Sequence, residues 1–384
     1  MRIRIKWTAG RRLVAQAFVV LATTVATLGP PVSVSAADAP PALPLLPNPH
    51  SFGITVTGWS DVDPTVPLDK RRLVNLKLRT EAIYPGVSRP EIQVRILLPA
   101  HYDQTAARRY PVLYLLHGGL GKWDDWSNNG VKELVTGVAA FTGLVVMPEG
   151  GSTGYYTDWT GHADGGHSPQ WETFHIRQLL PWVDANFRTD ATRTGRSIAG
   201  LSMGGFGALK YAGRHPDLFS AVGSFSGATN MRYADGTHDA PATFSQHMQW
   251  SGAAIREVNF LDLATRVNLY ENGWPVQDEQ RQEDYRFQAV FGSPTNWPHV
   301  NPYDMAARYA AYQGRIALYS GGQQGGETDI YAYNNQFRAQ LTARQVAFHW
   351  CVGDGTHSWE YWQRDLTDFL NLVYGTPIAC HYTS

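Results

Sequence analysis

Residues 196–208 read Arg-Ser-Ile-Ala-Gly-Leu-Ser-Met-Gly-Gly-Phe-Gly-Ala. Ile198 and Ala199 predict a short buried strand. After them comes the pattern Gly-x-Ser-x-Gly, in which a serine occupies a sharp turn between a strand and a helix. The turn strains the serine backbone, so the residues two before and two after it must be small. We therefore predict that a helix begins at Met203 and that Ser202 is a nucleophile at the C-terminal edge of a sheet.

The same turn predicts one half of an oxyanion hole. A helix N-terminus favours developing negative charge, and the backbone N–H of Met203 is a suitable donor. The second donor is expected in the loop after the first central strand, where the sequence reads His-Gly-Gly-Leu-Gly over residues 117–121. We favour the N–H of Gly119, with that of Leu120 as the alternative.

Apolar runs on both sides of this turn indicate a central sheet. Residues 110–116 and 144–148 are almost wholly apolar, which is typical of parallel strands buried on both faces. Further strands are predicted over residues 73–78, 92–98, 221–227, 315–320 and 346–351, and helices over 171–187 and 331–343. Strands that alternate with helices predict an α/β fold with a mostly parallel central sheet and helices on both faces.

The remaining segments define the expected domain organisation. Residues 1–36 combine basic residues, an apolar run and Val-Ser-Ala, which predicts a secretory signal peptide; an uncleaved anchor is the alternative. Residues 37–50 are rich in Pro and Ala and predict a linker. One domain is expected over 51–376, followed by a C-terminal tail, 377–384. Within the domain, residues 228–312 follow the sixth predicted strand and predict an insertion, either a lid or a surface excursion.

Charge and cysteine content limit the partners and the compartment. Removing residues 1–36, with five basic and no acidic side chains, takes the formal net charge from −1 to about −6. This balance disfavours nucleic acid and anionic membrane surfaces as partners, and no later stretch predicts stable membrane insertion. We expect a secreted protein, extracellular or cell-wall associated. Export permits a disulfide between Cys351 and Cys380, and two free thiols are the alternative.

A serine nucleophile needs a base, and position selects one among 13 histidines. His357 lies in a Gly-rich loop directly after the last predicted strand, where the base of an α/β-hydrolase belongs, in the order Ser, acid, His. The acid should follow the strand 315–320, and position alone does not choose between Glu327 and Asp329. His162 and His167 lie in a Gly-rich loop. These histidines could ligate a metal, but the sequence favours a solvated loop without a metal. No metal or cofactor is required.

Five stretches of the chain resemble one known family. They are Tyr-Leu-Leu-His-Gly at 114–118, Tyr-Thr-Asp-Trp at 156–159, Trp-Glu-Thr-Phe at 171–174, Gly-Leu-Ser-Met at 200–203 and Gly-Thr-His-Ser-Trp-Glu-Tyr-Trp at 355–362. These resemble the antigen 85 mycolyltransferases and the related secreted actinobacterial esterases and S-formylglutathione hydrolases. The resemblance implies an α/β-hydrolase fold. It also implies Glu327 as the acid, because the family has a Glu seven residues before Asn-x-x-Phe, as Glu327 stands before Asn334.

Departures from that family favour a general esterase. The mycolyltransferases have Asp-Gly-Leu-Arg at the oxyanion loop, where the acid and the arginine help to hold trehalose, and this chain has His-Gly-Gly-Leu at 117–120. We therefore expect a secreted serine carboxylesterase acting on a small-molecule, lipid or carbohydrate ester. The alternative is an acyltransferase that passes the acyl group to a sugar or lipid hydroxyl. A third interpretation is a binding protein without catalysis.

Residues near the expected cleft are candidates for lining the substrate. We name Leu120, Trp126, Trp159 and Trp359, and Trp123 and Trp362 lie in the same part of the sequence. The tryptophans could line an acyl channel or pack the core, and the sequence favours the core slightly.

Overall fold

The protein is described by a computed structural model that covers the ranges 51–83, 91–151, 154–161, 168–231, 270–271, 274–275, 290–292, 295–322, 326–377 and residue 380. All of them belong to one compact unit, Pro44–Ser384. The expected signal peptide and linker, over residues 1–50, lie outside the described residues, as do most of 228–312 and all of the tail except residues 377 and 380.

The strands and helices follow one another as the sequence predicts for an α/β protein. The strands are β1 Ile54–Asp61, β2 Arg72–Thr80, β3 Ile92–Leu98, β4 Val112–Leu116, β5 Leu144–Pro148, β6 Arg196–Leu201, β7 Ala221–Phe225, β8 Tyr270–Glu271, β9 Trp274–Pro275, β10 Ile316–Gly321 and β11 His349–Gly353. The helices are α1 Asp125–Asn128, α2 Val131–Gly137, α3 Leu180–Asn186, α4 Met203–Arg214, α5 Trp297–Val300, α6 Thr328–Ala343 and α7 Trp359–Tyr374. A π-helix, Thr173–Leu179, leads into α3, and a 3₁₀ helix, Pro302–Tyr312, follows α5.

Nine strands form one sheet in the order β1-β2-β3-β5-β4-β6-β7-β10-β11. Six neighbouring strands of this sheet run parallel to one another: β5, β4, β6, β7, β10 and β11. Strands β1, β2 and β3 add an antiparallel edge. Strands β8 and β9 form a separate pair. The α/β-hydrolase fold with a mostly parallel sheet is therefore confirmed.

Helices cover both faces of this sheet. A Cβ built on Gly223 of β7 would lie 2.9 Å from the ring of Phe369 in α7. The next residue of the strand, Ser224, faces α4, because a Cβ on Gly205 would lie 2.8 Å from its Oγ. Successive strand residues point to opposite faces, so α4 and α7 lie on opposite sides of the sheet.

Three details of the sequence prediction were wrong. Strand β1 was not predicted, so the strand before residues 228–312 is the seventh rather than the sixth. The central strand predicted from residue 110 begins at Val112, and the last strand is shifted from 346–351 to 349–353. The helix predicted over 171–187 is confirmed, since residues 171–186 are helical throughout, although its middle part, Thr173–Leu179, is a π-helix that continues into a short α-helix.

The described part of residues 228–312 contains short helices, as expected. The 3₁₀ helix packs against α4, because the hydroxyls of Tyr309 and Tyr312 donate to the carbonyls of Leu209 and Ala212, each at 2.9 Å. This end of the segment therefore belongs to the body of the domain. Whether the rest forms a lid stays a prediction, since it lies outside the described residues.

A disulfide joins Cys351 in β11 to Cys380, with the two Cα atoms 5.2 Å apart. It ties the chain beyond α7 back to the sheet edge beside the His357 loop, as the sequence analysis expects. Among the residues that the structure covers, no helix is both long and apolar enough to span a membrane.

Candidate active site

Ser202 lies at the junction between β6 and α4. Its backbone has φ +53° and ψ −119°, a conformation that few residues other than glycine adopt. The backbone N–H of Ser202 donates to the carbonyl of Phe225 at 2.7 Å, which fixes the turn to β7. Helix α4 begins at Met203, as predicted, so its N-terminus is directed at the serine.

The two glycines of the motif are required by close backbone approach. A Cβ on Gly200 would lie 2.5 Å from the carbonyl carbon and oxygen of Gly204. A Cβ on Gly204 would lie 2.5 Å from the carbonyl oxygens of Leu116 and His117, at the end of β4. The turn can therefore close only when both positions lack a side chain.

The side chains of Ser202, His357 and Glu327 form one hydrogen-bonded chain. His357 Nε2 is 3.1 Å from Ser202 Oγ, and His357 Nδ1 is 2.6 Å from Glu327 Oε1. Glu327 is a pure acceptor when it is ionised, so Nδ1 carries the proton and Nε2 is free to accept one from the serine. This is the arrangement in which a histidine can act as a general base toward a serine.

The surroundings of Glu327 fix its orientation. The residue is fully buried, and its Oε2 accepts the backbone N–H of Gly321 at 3.0 Å and the hydroxyl of Ser320 at 3.1 Å. Glu327 occupies the N-cap position of α6, although its side chain makes no capping hydrogen bond there, and a helix N-terminus favours a nearby anion. The alternative acid, Asp329, is exposed in the first turn of the same helix.

The loop after β4 lies beside the serine. A Cβ on Gly118 would be 3.4 Å from the Cβ of Ser202, so the loop and the nucleophile are in contact. Gly119 and Leu120 follow at the surface, and Leu120 is 38% exposed with φ +61°. The oxyanion roles of the Gly119 and Met203 N–H groups stay predictions that agree with this placement.

The buried side chain of His117 holds the same loop through hydrogen bonds, a role that the sequence did not indicate. Its ring is 1% exposed, Nε2 accepts the N–H of Gly150 at 2.9 Å, and Nδ1 therefore donates to the carbonyl of Gly118 at 2.8 Å. The hydroxyl of Tyr156 donates to the carbonyl of His117 at 2.8 Å. The His117 ring is thus directed into the protein.

A second buried histidine extends this network. His175 contacts the carbonyl of Glu149 through Nε2 and the hydroxyl of Tyr211 through Nδ1, both at 2.8 Å. Burial lowers the pKa of His175 to about 3, so the ring is neutral. A carbonyl only accepts, so Nε2 donates to Glu149 and Nδ1 accepts from Tyr211.

The four candidate lining residues occupy different depths. Leu120 is exposed and Trp359 is half-buried, so both have side-chain surface open to solvent. Trp126 and Trp159 are 1% and 4% exposed and lie in the interior. The indole N–H of Trp126 donates to the carbonyl of Leu116 at 2.9 Å, which anchors it in the core.

An ion cluster around the buried Glu172 fixes the C-terminal part of α4. Glu172 accepts from Lys210 Nζ at 2.5 Å, Arg214 Nε at 2.6 Å and His215 Nε2 at 2.7 Å. Lys210 is fully buried and also donates to the carbonyl of Tyr156 at 2.9 Å. The cluster therefore joins the helix that carries Ser202 to the loop that supports His117.

Glu172 is expected to be important for stability. Burial alone would raise the pKa of its carboxyl, but Lys210, His215 and Arg214 outweigh burial and hold that pKa well below its usual range. We expect Glu172→Gln to lower the free energy of unfolding at pH 7 by about 3 kcal/mol, because it leaves the Lys210 ammonium buried without an anion. Urea unfolding of the wild type and the variant measures this difference.

The effect has a defined pH dependence. A lowered folded-state pKa stabilises the protein above the carboxyl's ordinary value of 4.5, and this stabilisation is lost as the pH falls toward the folded value. The difference between wild type and Glu172→Gln should therefore shrink in acid. Glu360→Gln is the matched control, because Glu360 pairs with Arg364 on an exposed helix surface. Equal effects of the two variants would contradict the prediction.

Across the described ranges, no group of three or more His, Cys, Asp or Glu side chains could hold a metal ion. His162 and His167 lie outside those ranges.

Comparison with known sequences places the chain among esterases and acyltransferases. The profile of the family described as "Putative esterase" matches residues 88–372. Esterase Rv1288 of Mycobacterium tuberculosis is 41% identical over 186 residues, which are 47% of this chain and 36% of that protein. The match thus spans about a third of that relative's length. Diacylglycerol acyltransferase/mycolyltransferase Ag85B of Mycobacterium leprae is 27% identical over 298 residues, covering 71% of this chain and 80% of that protein.

Solved structures share the fold at low sequence identity. An S-formylglutathione hydrolase from Agrobacterium tumefaciens is 15% identical with a TM-score of 0.57, covering 83% of this chain and 98% of that one. Mycobacterium tuberculosis MPT51 is 21% identical with a TM-score of 0.54, covering 74% and 93%. These matches confirm the resemblance found in the sequence. Because the family profile covers well over half of the chain, this protein belongs to that esterase family.

Proposed function

We propose that this protein is a secreted serine carboxylesterase whose nucleophile, base and acid are Ser202, His357 and Glu327. The observation that carries the proposal is the hydrogen-bonded chain from Ser202 Oγ through the His357 ring to the buried Glu327. Ser202 Oγ would attack the ester carbonyl while its proton passes to His357 Nε2. The N–H groups of Met203 and Gly119 would hold the oxyanion.

The rest of the cycle uses the same groups. The protonated His357 gives its proton to the leaving alkoxide, and the alcohol departs from an acyl-enzyme on Ser202. Water then attacks the acyl carbonyl while His357 Nε2 takes its proton. The bond from the acyl carbon to Ser202 Oγ breaks, His357 returns the proton to Oγ, and the carboxylic acid is released. Glu327 keeps the proton on Nδ1 and stabilises the imidazolium in both halves.

Acyl transfer to a sugar or lipid hydroxyl is the second candidate, since Ag85B is a relative over 71% of the chain. The oxyanion loop favours hydrolysis over this alternative. The His117 ring is bonded into the interior, and within residues 117–121 the exposed side chain is that of Leu120. Residues 117–121 therefore offer few groups to hold a polar acceptor in place of water, and the next side chain, Lys122, pairs with Asp124 at 3.3 Å.

Export is part of the proposal. Residues 1–36 have the composition of a signal peptide, and the disulfide between Cys351 and Cys380 suits an oxidising compartment. An extracellular or cell-wall location would bring the site into contact with small-molecule, lipid or carbohydrate esters.

The test is a panel of p-nitrophenyl esters from acetate to palmitate, assayed with and without trehalose or glycerol. We expect hydrolysis of short-chain esters at a rate that does not change when either alcohol is added. Slow hydrolysis that added alcohol accelerates, with acylated sugar or glycerol as the product, would instead establish the transferase. An absence of turnover with every ester would favour the binding protein.

A further inference from the structure

Trp362 makes a ring contact with the candidate base. The ring centroids of Trp362 and His357 are 4.9 Å apart and the ring planes meet at 89°, an edge-to-face geometry. Trp362 is 7% exposed and lies in the first turn of α7, directly after the His357 loop. The sequence grouped it with the tryptophans near the cleft and gave it no separate role.

The two hydrogen bonds of His357 leave one motion of its ring unopposed. Ser202 holds Nε2 and Glu327 holds Nδ1, so the bonds fix two points of the imidazole. Rotation of the ring about the line through those two nitrogens tilts the plane in which Nε2 accepts a proton. This rotation is resisted by the bond from the ring to Cβ and by any contact on the ring away from that line. The perpendicular ring of Trp362 provides such a contact.

Trp362 is itself fixed on two sides. Its indole N–H donates to Ser226 Oγ at 3.2 Å. Its ring also meets Trp359 edge to face at 5.4 Å, and Trp359 meets the buried Trp126 in the same way at 5.1 Å. The contact on His357 is therefore backed by the core and not by a side chain free to move.

Ser226 connects this support to the rest of the site. It is fully buried and has φ +50°, a left-handed conformation that is strained for a residue with a side chain. It follows Phe225, whose carbonyl accepts the N–H of Ser202, and its own N–H donates to the carbonyl of Tyr319 at 2.8 Å. Ser226 thus lies between the strand that holds the nucleophile and the strand that leads to Glu327.

We propose that Trp362, held by Ser226, is a positioning residue that fixes the plane of the His357 imidazole against Ser202 and Glu327. The inference rests on the proposed function, because it assumes that His357 is the base. In this proposal Trp362 contacts neither Ser202 nor the ester, and it acts only through His357.

The test compares variants that remove the indole N–H, its acceptor and the whole ring. Trp362→Phe and Ser226→Ala each delete the N–H···O bond, and we expect each to lower kcat for p-nitrophenyl acetate about three- to tenfold. KM should change less than about twofold, because substrate binding is untouched. Trp362→Leu also removes the ring and should lower kcat about 10- to 100-fold. The double variant Ser226→Ala/Trp362→Phe should be no slower than Trp362→Phe, because both changes break one bond.

A second readout does not depend on the ester chosen. A fluorophosphonate probe forms a P–O bond to Ser202 Oγ, fluoride leaves and the serine proton passes to His357. The rate of this labelling should fall in the same order as kcat. Trp182→Phe is the control. Trp182 is also buried, but it lies in α3 and its ring contacts Phe187, which directly follows that helix. Thermal unfolding midpoints are recorded for all variants.

The outcomes separate the inference from the proposed function. Trp362 and Ser226 variants with lowered thermal midpoints but unchanged kcat and labelling rate would overturn the inference, as would an equal loss of kcat in Trp182→Phe. Independent, multiplicative losses in the double variant would also contradict it. If the wild type neither turns over esters nor reacts with the probe, the proposed function fails and the inference fails with it.

Discussion

Replacing Ser202 with alanine is expected to lower kcat for p-nitrophenyl acetate about 10⁵- to 10⁶-fold and to abolish fluorophosphonate labelling. Alanine keeps the Cβ and leaves the hydrogen bond from the residue 202 backbone to Phe225 in place. It removes only the Oγ that lies 3.1 Å from His357 Nε2. The loss should therefore come from chemistry, and the free energy of unfolding should change little.

A buried serine elsewhere in the sheet provides the control. Ser220 precedes β7, and its Oγ donates to the carbonyl of Arg196 at 3.0 Å, at the end of the strands opposite to Ser202. Ser220→Ala removes the same atom and should keep kcat within about twofold of the wild type. Retained turnover in Ser202→Ala would mean that another group is the nucleophile. A protein that binds ligand but turns over no ester in either form would be a binding protein.

The elements nearest the serine could be predicted because their local sequence leaves few alternatives. Strands β4 and β5 are buried on both faces and read as unbroken apolar runs. The Gly-x-Ser-x-Gly turn requires its two glycines, and helix α4 begins where the motif places it. The fold class followed from the alternation of such strands with helices.

The elements that were missed or displaced have weaker local signals. Strand β1 pairs only with β2 at the sheet edge and contains a bulge between Val56 and Gly58, so its pattern of buried residues is irregular. Val346 was assigned to the last strand because it is apolar. It is instead buried under the end of α6, where its N–H donates to the carbonyl of Leu341. Apolar character alone did not distinguish these two environments.

The supporting side chains of the site could not be predicted because their partners are distant in sequence. Glu172 and Lys210 are 38 residues apart, and Ser226 and Trp362 are 136 apart. Nothing in the local pattern pairs them, since each contact depends on how the helices lie on the sheet. The sequence analysis considered the Gly-rich loop of His117 only for its backbone. The direction of the His117 ring is set by its bond to the N–H of Gly150, which is 33 residues away.

Glu327→Gln is expected to lower kcat about 10³- to 10⁴-fold with little change in KM. Glutamine can donate to Nδ1 of His357 as well as accept from it, so it no longer keeps the proton on Nδ1. Nε2 then fails to accept from Ser202 in a large fraction of molecules, and the imidazolium loses the carboxylate 2.6 Å away. Steady-state kinetics on p-nitrophenyl acetate measures the loss.

Asp329→Asn is the matched control, because Asp329 was the alternative acid and is two residues away in the same segment. Its side chain is exposed in the first turn of α6, whereas Glu327 is fully buried against Ser320 and Gly321. The Asn variant should keep kcat within about twofold of the wild type. A large loss in Asp329→Asn together with an active Glu327→Gln would reverse the assignment of the acid. Large losses in both would mean that neither carboxylate alone fixes the base, and that the orientation of His357 depends on the whole start of α6.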